Sequence, residues 1–470
     1  MLFEMTMKKI KLFDYQEDMV KRVQEAFKHH DAVMVQMPTG TGKTYLLAAL
    51  VGLFLKEEVW VIAHRRELVS QIKDTLERFF SSLKNTSIKV TSIQWLSRHY
   101  GETEEKPGLI VIDEAHHALA ETYAEVMNAY PKAKKLGLTA TPYRLNGKGF
   151  TDLFDTLLCS WSMEKFIVEG RLSLYDYYSI KPDSADQLLI DSLQKRGTDG
   201  DYQQKELNEV MDVKPSLERL CLTIKEYVPG KKGIVYAISI QHAEHIAEFY
   251  RENGIKAVAI SSKTPLAERQ ELIERFKSSS LFSSLNSASN TSDEIEVLVS
   301  VDLFSEGFDC PDVEFIQLAR PTLSLAKYMQ MVGRGLRVAE GKEYCVILDN
   351  VGLYKRFGLP SVDRDWQSMF EGRTSLEDIL QEACLQVNSH NCRMDLMMDG
   401  DEEMMKIINH KRQQQMIMDT YGYQIVEDEK GQKGIKDKDG KMILECQYKK
   451  IEVTNDGFAY QGRRIKYFIR

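Results

Sequence analysis

Short apolar runs recur along this chain, separated by stretches of helical periodicity. Residues 31–37 (DAVMVQM) form one such run and end in Pro38-Thr39-Gly40, so a buried strand is expected to enter a glycine-containing turn. An apolar helix pattern takes over from Thr44, and the runs 59–63 (VWVIA), 88–93 (IKVTSI), 109–113 (LIVID) and 135–141 (KLGLTAT) follow. Strands that are apolar throughout, rather than at alternate positions, are buried on both faces, as in a parallel sheet covered by crossover helices. A second series comprises 233–239 (GIVYAIS), 256–262 (KAVAISS), 296–302 (EVLVSVD), 314–319 (EFIQLA) and 344–349 (YCVILD). The pattern predicts two α/β domains in series.

The segments between and after these runs read differently. Residues 181–215 are polar and are expected to be a connector or small insertion. The serine- and asparagine-rich stretch 278–294 lies between a predicted helix (Glu268–Lys277) and a strand, and reads as an extended surface loop. From about residue 361 the character changes. A capping box, Thr374-Ser-Leu-Glu377, opens a predicted helix, and a methionine-rich helical stretch is expected to run to about Met418. The last fifty or so residues alternate instead, and GIKDKDGKMILECQYKKIEV predicts a hairpin turning at Asp439-Gly440.

Composition narrows the class only slightly. A chain of 470 residues exceeds what one core usually holds, which agrees with two or three domains. The longest apolar run, Leu46 to Leu55, is too short to span a bilayer, and the N-terminus lacks an apolar core followed by a small-residue cleavage site. A cytoplasmic location is the expectation. The seven cysteines are scattered without a C-x-x-C pair and read as free, packed thiols; Cys384, His390 and Cys392 lack a fourth partner for zinc. Net charge is −8, from 62 basic and 70 acidic residues, which argues against charge-driven coating of nucleic acid. A local positive track would still suffice to hold a strand.

Two motifs carry the chemistry. Met37-Pro-Thr-Gly-Thr-Gly-Lys-Thr44 sits between strand and helix, where a phosphate loop must be. Gly40, Thr41 and Gly42 let backbone N–H groups turn toward phosphate oxygens, and a helix N-terminus favours negative charge. Lys43 would reach the β- and γ-phosphates, and Thr44 would ligate Mg²⁺. Ile112-Asp113-Glu114-Ala115-His116-His117 ends a strand at the same sheet edge, so Asp113 can hold the metal while Glu114 orients and deprotonates water. Arg334 and Arg337 stand three apart, on one helix face if that segment is helical, as guanidiniums for a γ-phosphoryl group would be.

The order PTGTGKT, IDEAHH, TATP, QMVGRGLR resembles the superfamily 2 DEAH-type helicases over roughly residues 11–360. That resemblance implies two tandem RecA-like domains, about 1–175 and 176–360, with residues 361–470 as an accessory region. It also implies ATP and Mg²⁺ in the cleft and a nucleic-acid partner, DNA favoured over RNA. Phe13-Asp-Tyr-Gln16 resembles the adenine-reading block, with Gln16 on the base edge. Ala63-His-Arg-Arg-Glu-Leu68 resembles the first strand-gripping block, with Arg66 on the phosphodiester. Thr139-Ala-Thr141, with His116, resembles the machinery coupling hydrolysis to domain movement. The 299–309 block implies nucleotide and strand roles for Gly307 and Asp309, and Gln330 through Arg337 resembles the arginine-finger block at the nucleotide.

TATPYRLNGKGF, LFSEGFDCPDVE and VILDN…FGLP are more narrowly similar to bacterial RadD-like repair ATPases and phage relatives. The serine-rich loop departs from that pattern, as does the lack of a cysteine-rich zinc module in the tail. The tail itself resembles one unit of a WG-type β repeat. The reading is an ATP-driven helicase or translocase. Its alternatives are the ATPase subunit of a restriction or anti-phage complex and an ATP-switched clamp, against which Glu114 and both arginines speak.

Overall fold

The computed structural model describes residues 11–64, 66–80, 87–101, 106–118, 121–279, 294–301, 310–374, 378–379, 404–454, 457–460 and 463–466. Its first unit opens with α1 (Asp14–Ala26), then β1 (Ala32–Gln36), α2 (Lys43–Gly52), β2 (Glu58–Ala63) and α3 (Arg66–Phe79). Next come β3 (Ile88–Ser92), α4 (Ile93–His99), β4 (Pro107–Asp113), a short 3₁₀ turn (Ala115–His117), α5 (Glu121–Ala129), β5 (Lys134–Thr139), β6 (Thr156–Cys159) and α6 (Met163–Val168). The six strands form one sheet in the order β3-β2-β4-β5-β1-β6, every pair parallel.

The apolar runs behave as their composition dictates. Along β1, β2 and β4 alternate residues enter different cores: Val33, Val35, Val59, Val61 and Val111 pack on one face, and Met34, Trp60, Ile62, Ile110 and Ile112 on the other. Helices cover both faces, so neither side of these strands meets water. Burying a Val or Ile side chain contributes roughly 1.5–3 kcal/mol each.

The second unit begins with β7 (Leu174–Ile180), α7 (Ala185–Asp191), α8 (Gln204–Met211) and α9 (Lys214–Tyr227). It continues through β8 (Gly233–Tyr236), α10 (Ile240–Glu252), β9 (Ala257–Ile260), α11 (Leu266–Ser278), β10 (Val297–Ser300) and β11 (Phe315–Leu318). α12 (Leu325–Gly335), β12 (Tyr344–Asp349), α13 (Leu353–Phe357) and α14 (Trp366–Phe370) follow. Beyond them lie β13 (Met404–Ile408), α15 (His410–Tyr421) and the small strands β14 (Gln424–Glu427), β15 (Lys433–Lys436), β16 (Met442–Tyr448), β17 (Glu452–Thr454), β18 (Gly457–Tyr460) and β19 (Arg463–Lys466). The second large sheet runs β13-β7-β12-β11-β8-β10-β9, parallel except where β13 pairs antiparallel with β7. The molecule is thus two tandem RecA-like units with two three-stranded antiparallel sheets appended.

Several expectations need correction. Residues 181–215 are not a plain connector, because α7 and α8 form there and bury Ile190, Leu207 and Met211 in the main core. The methionine-rich stretch is not helical throughout: Met404–Ile408 is a strand, and the helix starts only at His410. β7 straddles the expected 175/176 division and lies wholly in the second sheet. Strands β15 and β16 flank Asp439-Gly440, where Asp437 accepts the N–H groups of Asp439 and Lys441. Most of the serine-rich stretch, residues 375–377 of the capping box, and Cys384, His390 and Cys392 lie outside the described residues. Among the described residues, five cysteines are free thiols, and no helix is long and apolar enough to cross a membrane.

Candidate active site

The phosphate loop is shaped by two glycines. Gly40 and Gly42 hold φ of +87° and +83°, a left-handed region that costs a side-chain-bearing residue roughly 1–2 kcal/mol. Gly42 is the N-cap of α2, so the turn delivers Lys43 and Thr44 to that helix's first two positions. A Cβ on Gly42 would stand 2.5 Å from Gln16 Nε2, because α1 leans on the loop here. Tyr15 Oη donates to Thr41 O at 3.0 Å, and Gln16 Nε2 donates to Thr41 O and Gly42 O at 3.3 and 3.2 Å. Gln16 Oε1 accepts the Phe13 N–H at 2.9 Å. The Nε2 end of the Gln16 amide therefore braces the phosphate loop, while its Oε1 end caps the start of α1. Beside it, the exposed Phe13 ring stacks on the Arg171 guanidinium at 4.2 Å.

Lys43 Nζ donates to Met37 O at 3.2 Å and to Pro38 O at 3.5 Å, which folds the ammonium over the loop. Burial pushes its pKa below the usual lysine range; Glu114 and Asp113 pull it back up, and Arg334 and Arg337 push it further down. Two carboxylates and three cations therefore share one cleft. Asp113 ends β4, and Glu114 follows with φ +49°, the one positive-φ residue other than glycine among those described. Such a conformation is uncommon for a residue with a Cβ and accumulates at functional sites. It turns the chain sharply into the 3₁₀ turn 115–117.

That turn sends His116 inward. Its Nδ1 lies 3.0 Å from Thr139 Oγ1 and 3.4 Å from Glu114 Oε2, and its Nε2 lies 3.3 Å from Gln330 Nε2 on α12. With the Gln330 amide donating to Nε2, the neutral ring carries its proton on Nδ1 and donates to Thr139 Oγ1. Thr139 Oγ1 also accepts the Thr141 N–H at 3.1 Å. One continuous line, Gln330–His116–Thr139–Thr141, thus joins the two units.

The second unit approaches closely because α12 carries glycines. A Cβ on Gly333 would stand 2.6 Å from Thr39 Cβ, and one on Gly40 would stand 3.2 Å from Arg337 Cγ. Arg334 is buried at this contact. Arg337 does not share its helix face, contrary to expectation: α12 ends at Gly335, and Arg337 follows in a non-helical segment. The added methyl in Gly333→Ala is expected to wedge this contact apart, lowering kcat/KM for ATP about tenfold or more while the melting temperature changes little. Wild-type kinetics in this variant, measured by steady-state ATPase, would show that the contact is dispensable.

Among the described residues, Glu114 Oε2 and the hydroxyls of Thr39 and Thr141 are buried without a hydrogen-bond partner. Leaving such atoms unpaired costs about 1–3 kcal/mol each; a water can donate to the carboxylate oxygen, and the hydroxyls can donate to water or phosphate oxygens. The cleft's donors and acceptors therefore fit a nucleoside triphosphate, and the hydroxyl and carboxylate of Thr44 and Asp113 are hard oxygen ligands of the kind magnesium takes. The structure brings Gln16, Gly40, Thr41, Gly42, Lys43, Thr44, Asp113, Glu114, His116, Thr139, Thr141, Gln330, Arg334 and Arg337 to one cleft. Arg66 begins α3, its side chain outside the described residues, as are Gly307 and Asp309. Tyr15 and Arg171 were not foreseen; Arg171 gave no signal because it meets Phe13 only in three dimensions.

Comparison with known proteins agrees with this geometry. Residues 9–144 match the family described as type III restriction enzyme, res subunit, and residues 215–339 match the helicase conserved C-terminal domain. A 345-residue segment is 32% identical to a 51.5 kDa protein of a Lactococcus phage, covering 72% of this chain and 70% of that one. Over 374 residues the chain is 27% identical to a Saccharomyces cerevisiae protein that carries the name ATP-dependent helicase IRC3, covering 73% of this chain and 51% of that one. The chain belongs to the superfamily 2 helicases. Members of this superfamily are ATP-hydrolysing enzymes. A solved HsdR-subunit fragment of a Vibrio vulnificus type I restriction enzyme shares the helicase fold at TM-score 0.54 and 20% identity, covering 76% of this chain and 66% of that one. The chain spans about half the length of its yeast relative.

Proposed function

We propose that this helicase hydrolyses ATP between its two RecA-like units, divided near residues 175 and 360, to move along a nucleic-acid strand. The observation that carries this reading is the line Gln330–His116–Thr139–Thr141, which links the nucleotide cleft to both units. Thr44 and Asp113 would hold Mg²⁺, which when bound draws the phosphate oxygens together and offsets their charge. Glu114 orients a water, takes its proton as the oxygen attacks the γ-phosphorus, and ADP departs with the bridging oxygen. Lys43, Arg334 and Arg337 offset the charge on the transferring group. Phosphate release then removes the charge that holds the arginines, the cleft opens, and the strand steps.

Arg66 is assigned to the strand backbone, and Gly307 and Asp309 to nucleotide and strand. The match to the type III restriction enzyme res-subunit family supports DNA over RNA as the track. It equally favours a second reading, the ATPase subunit of a restriction or anti-phage complex, which a co-purifying nuclease would support. The narrower RadD-like reading rests on the TATPYRLNGKGF and VILDN segments. Residues 361–470, with their WG-like hairpin, are proposed as an accessory region for protein partners.

The decisive measurement is the ATPase rate with single-stranded, duplex, forked and RNA ligands at several salt concentrations. The rate is expected to rise with polynucleotide, and the rise to weaken with salt, because phosphate contacts release counterions. Arg66→Ala is expected to reduce stimulation and spare most of the basal rate. Identical rates with and without every ligand at low salt would remove the motor reading.

A further inference from the structure

The pair of histidines ending the 114–117 turn diverges. His116 points into the cleft, whereas His117 is exposed and packs at a tilt on the other side against His64. Ring centroids are 4.1 Å apart between His64 and His117, and again 4.1 Å between His117 and His116, with planes inclined by 35° and 40°. Three imidazoles thus form one short column. Its outer end is anchored beside α3: His64 directly follows β2, two residues before Arg66, and its carbonyl accepts from Gln94 Nε2 of α4 at 2.7 Å. Its inner end is His116, held by Thr139 and Gln330. The middle ring is tied to the catalytic carboxylate through the backbone, because His117 N–H donates to Glu114 O at 3.0 Å.

We propose that His64 and His117 are positioning residues that pass strand occupancy to Glu114. The inference rests on the motor reading above. β2 and β4 are paired neighbours, with Ile62 opposite Ile112, so the turns that follow them lie side by side. A strand drawn onto the turn before α3 moves His64. The tilted rings are in van der Waals contact at a centroid separation of 4.1 Å, so a displaced His64 carries His117 with it. The 3₁₀ turn then adjusts the left-handed Glu114, whose φ of +49° leaves it readily displaced. Without a strand the column leaves Glu114 off the attacking water, and basal hydrolysis stays slow.

The test compares His64→Ala, His117→Ala and the ring-retaining His117→Phe in steady-state ATPase with and without single-stranded DNA, alongside strand binding by fluorescence anisotropy. Both alanine variants are expected to keep the basal rate and the KM for ATP within about twofold, and to lose about fivefold or more of the strand stimulation of kcat. His117→Phe restores most of the stimulation, which a specific hydrogen bond of His117 would not allow. An unchanged stimulation ratio in folded His64→Ala and His117→Ala overturns the link. So does a loss of strand affinity that accounts for the whole effect, since His117 would then be a strand contact. A basal rate that falls as far as the stimulated one also overturns it. Absence of stimulation in the wild-type protein would count against the motor reading itself, which separates the two failures.

Discussion

Lys43→Ala is expected to abolish ATP turnover, by about 10³-fold or more in kcat/KM, while the protein still folds. The side chain contributes nothing to either core: it reaches two loop carbonyls, and burial beside Arg334 and Arg337 holds its pKa below the usual lysine range. Removing it ends the desolvation cost of a buried cation but takes a counter-charge from Glu114 and Asp113, so the melting temperature without nucleotide should change little. With nucleotide the balance tips. A non-hydrolysable ATP analogue at a hundred times its Kd stabilises a protein by about 2.7 kcal/mol, and the alanine variant should lose most of that gain. Differential scanning fluorimetry with and without the analogue, beside a phosphate-release assay, measures both effects. Near-normal hydrolysis in a folded Lys43→Ala protein would remove the cleft between β1 and α2 as the ATP site.

Glu114→Gln should bind ATP and hydrolyse it about 10²–10⁴-fold more slowly, the range that a positioned general base supplies. The amide is isosteric, and the left-handed turn it occupies depends on backbone contacts, namely Glu114 O with His117 N–H. Geometry therefore survives and proton acceptance does not. Because the γ-phosphate persists, Arg334 and Arg337 stay engaged, and the variant should remain on a strand in ATP longer than the wild type does. Single-turnover hydrolysis and strand dissociation rates read the two outcomes. Weak nucleotide binding with normal turnover at saturating ATP would make Glu114 a binding residue and reassign the base.

Much of this architecture was legible in the one-dimensional pattern, for a definite reason. A strand covered on both faces must be apolar at successive positions, and β1, β2, β4 and β12 are. β7 (LYDYYSI) escaped notice because Asp176 and Ser179 interrupt its apolar character. Both are buried, and both are satisfied by distant residues: Asp176 by His410 and Lys406, Ser179 by Asp349. The partners of Asp176 also explain β13, which pairs with β7 at the sheet edge and sits in a stretch whose methionines suggested a helix. β6, at four residues, is too short to carry a periodic signal.

The same division runs through the candidate site. Lys43, Thr44, Asp113 and Glu114 were readable because strand ends and glycine turns are local features that dictate where neighbouring side chains point. The grouping of Arg334 with Arg337 by helical spacing did not hold, since α12 stops at Gly335 and Arg337 reaches the phosphate loop from the segment beyond. The contact of Gln330 with His116, the wedge of Gly333 against Thr39, the stacking of Phe13 on Arg171 and the three-histidine column all join residues from separate elements. What the sequence by itself determined is the set of buried strands, the phosphate loop and the acidic pair, each dictated by short-range sterics and burial. How the second unit meets that loop, and how His64 comes against His117 beside Glu114, was decided only by tertiary packing, because those contacts depend on side chains that no local spacing brings together.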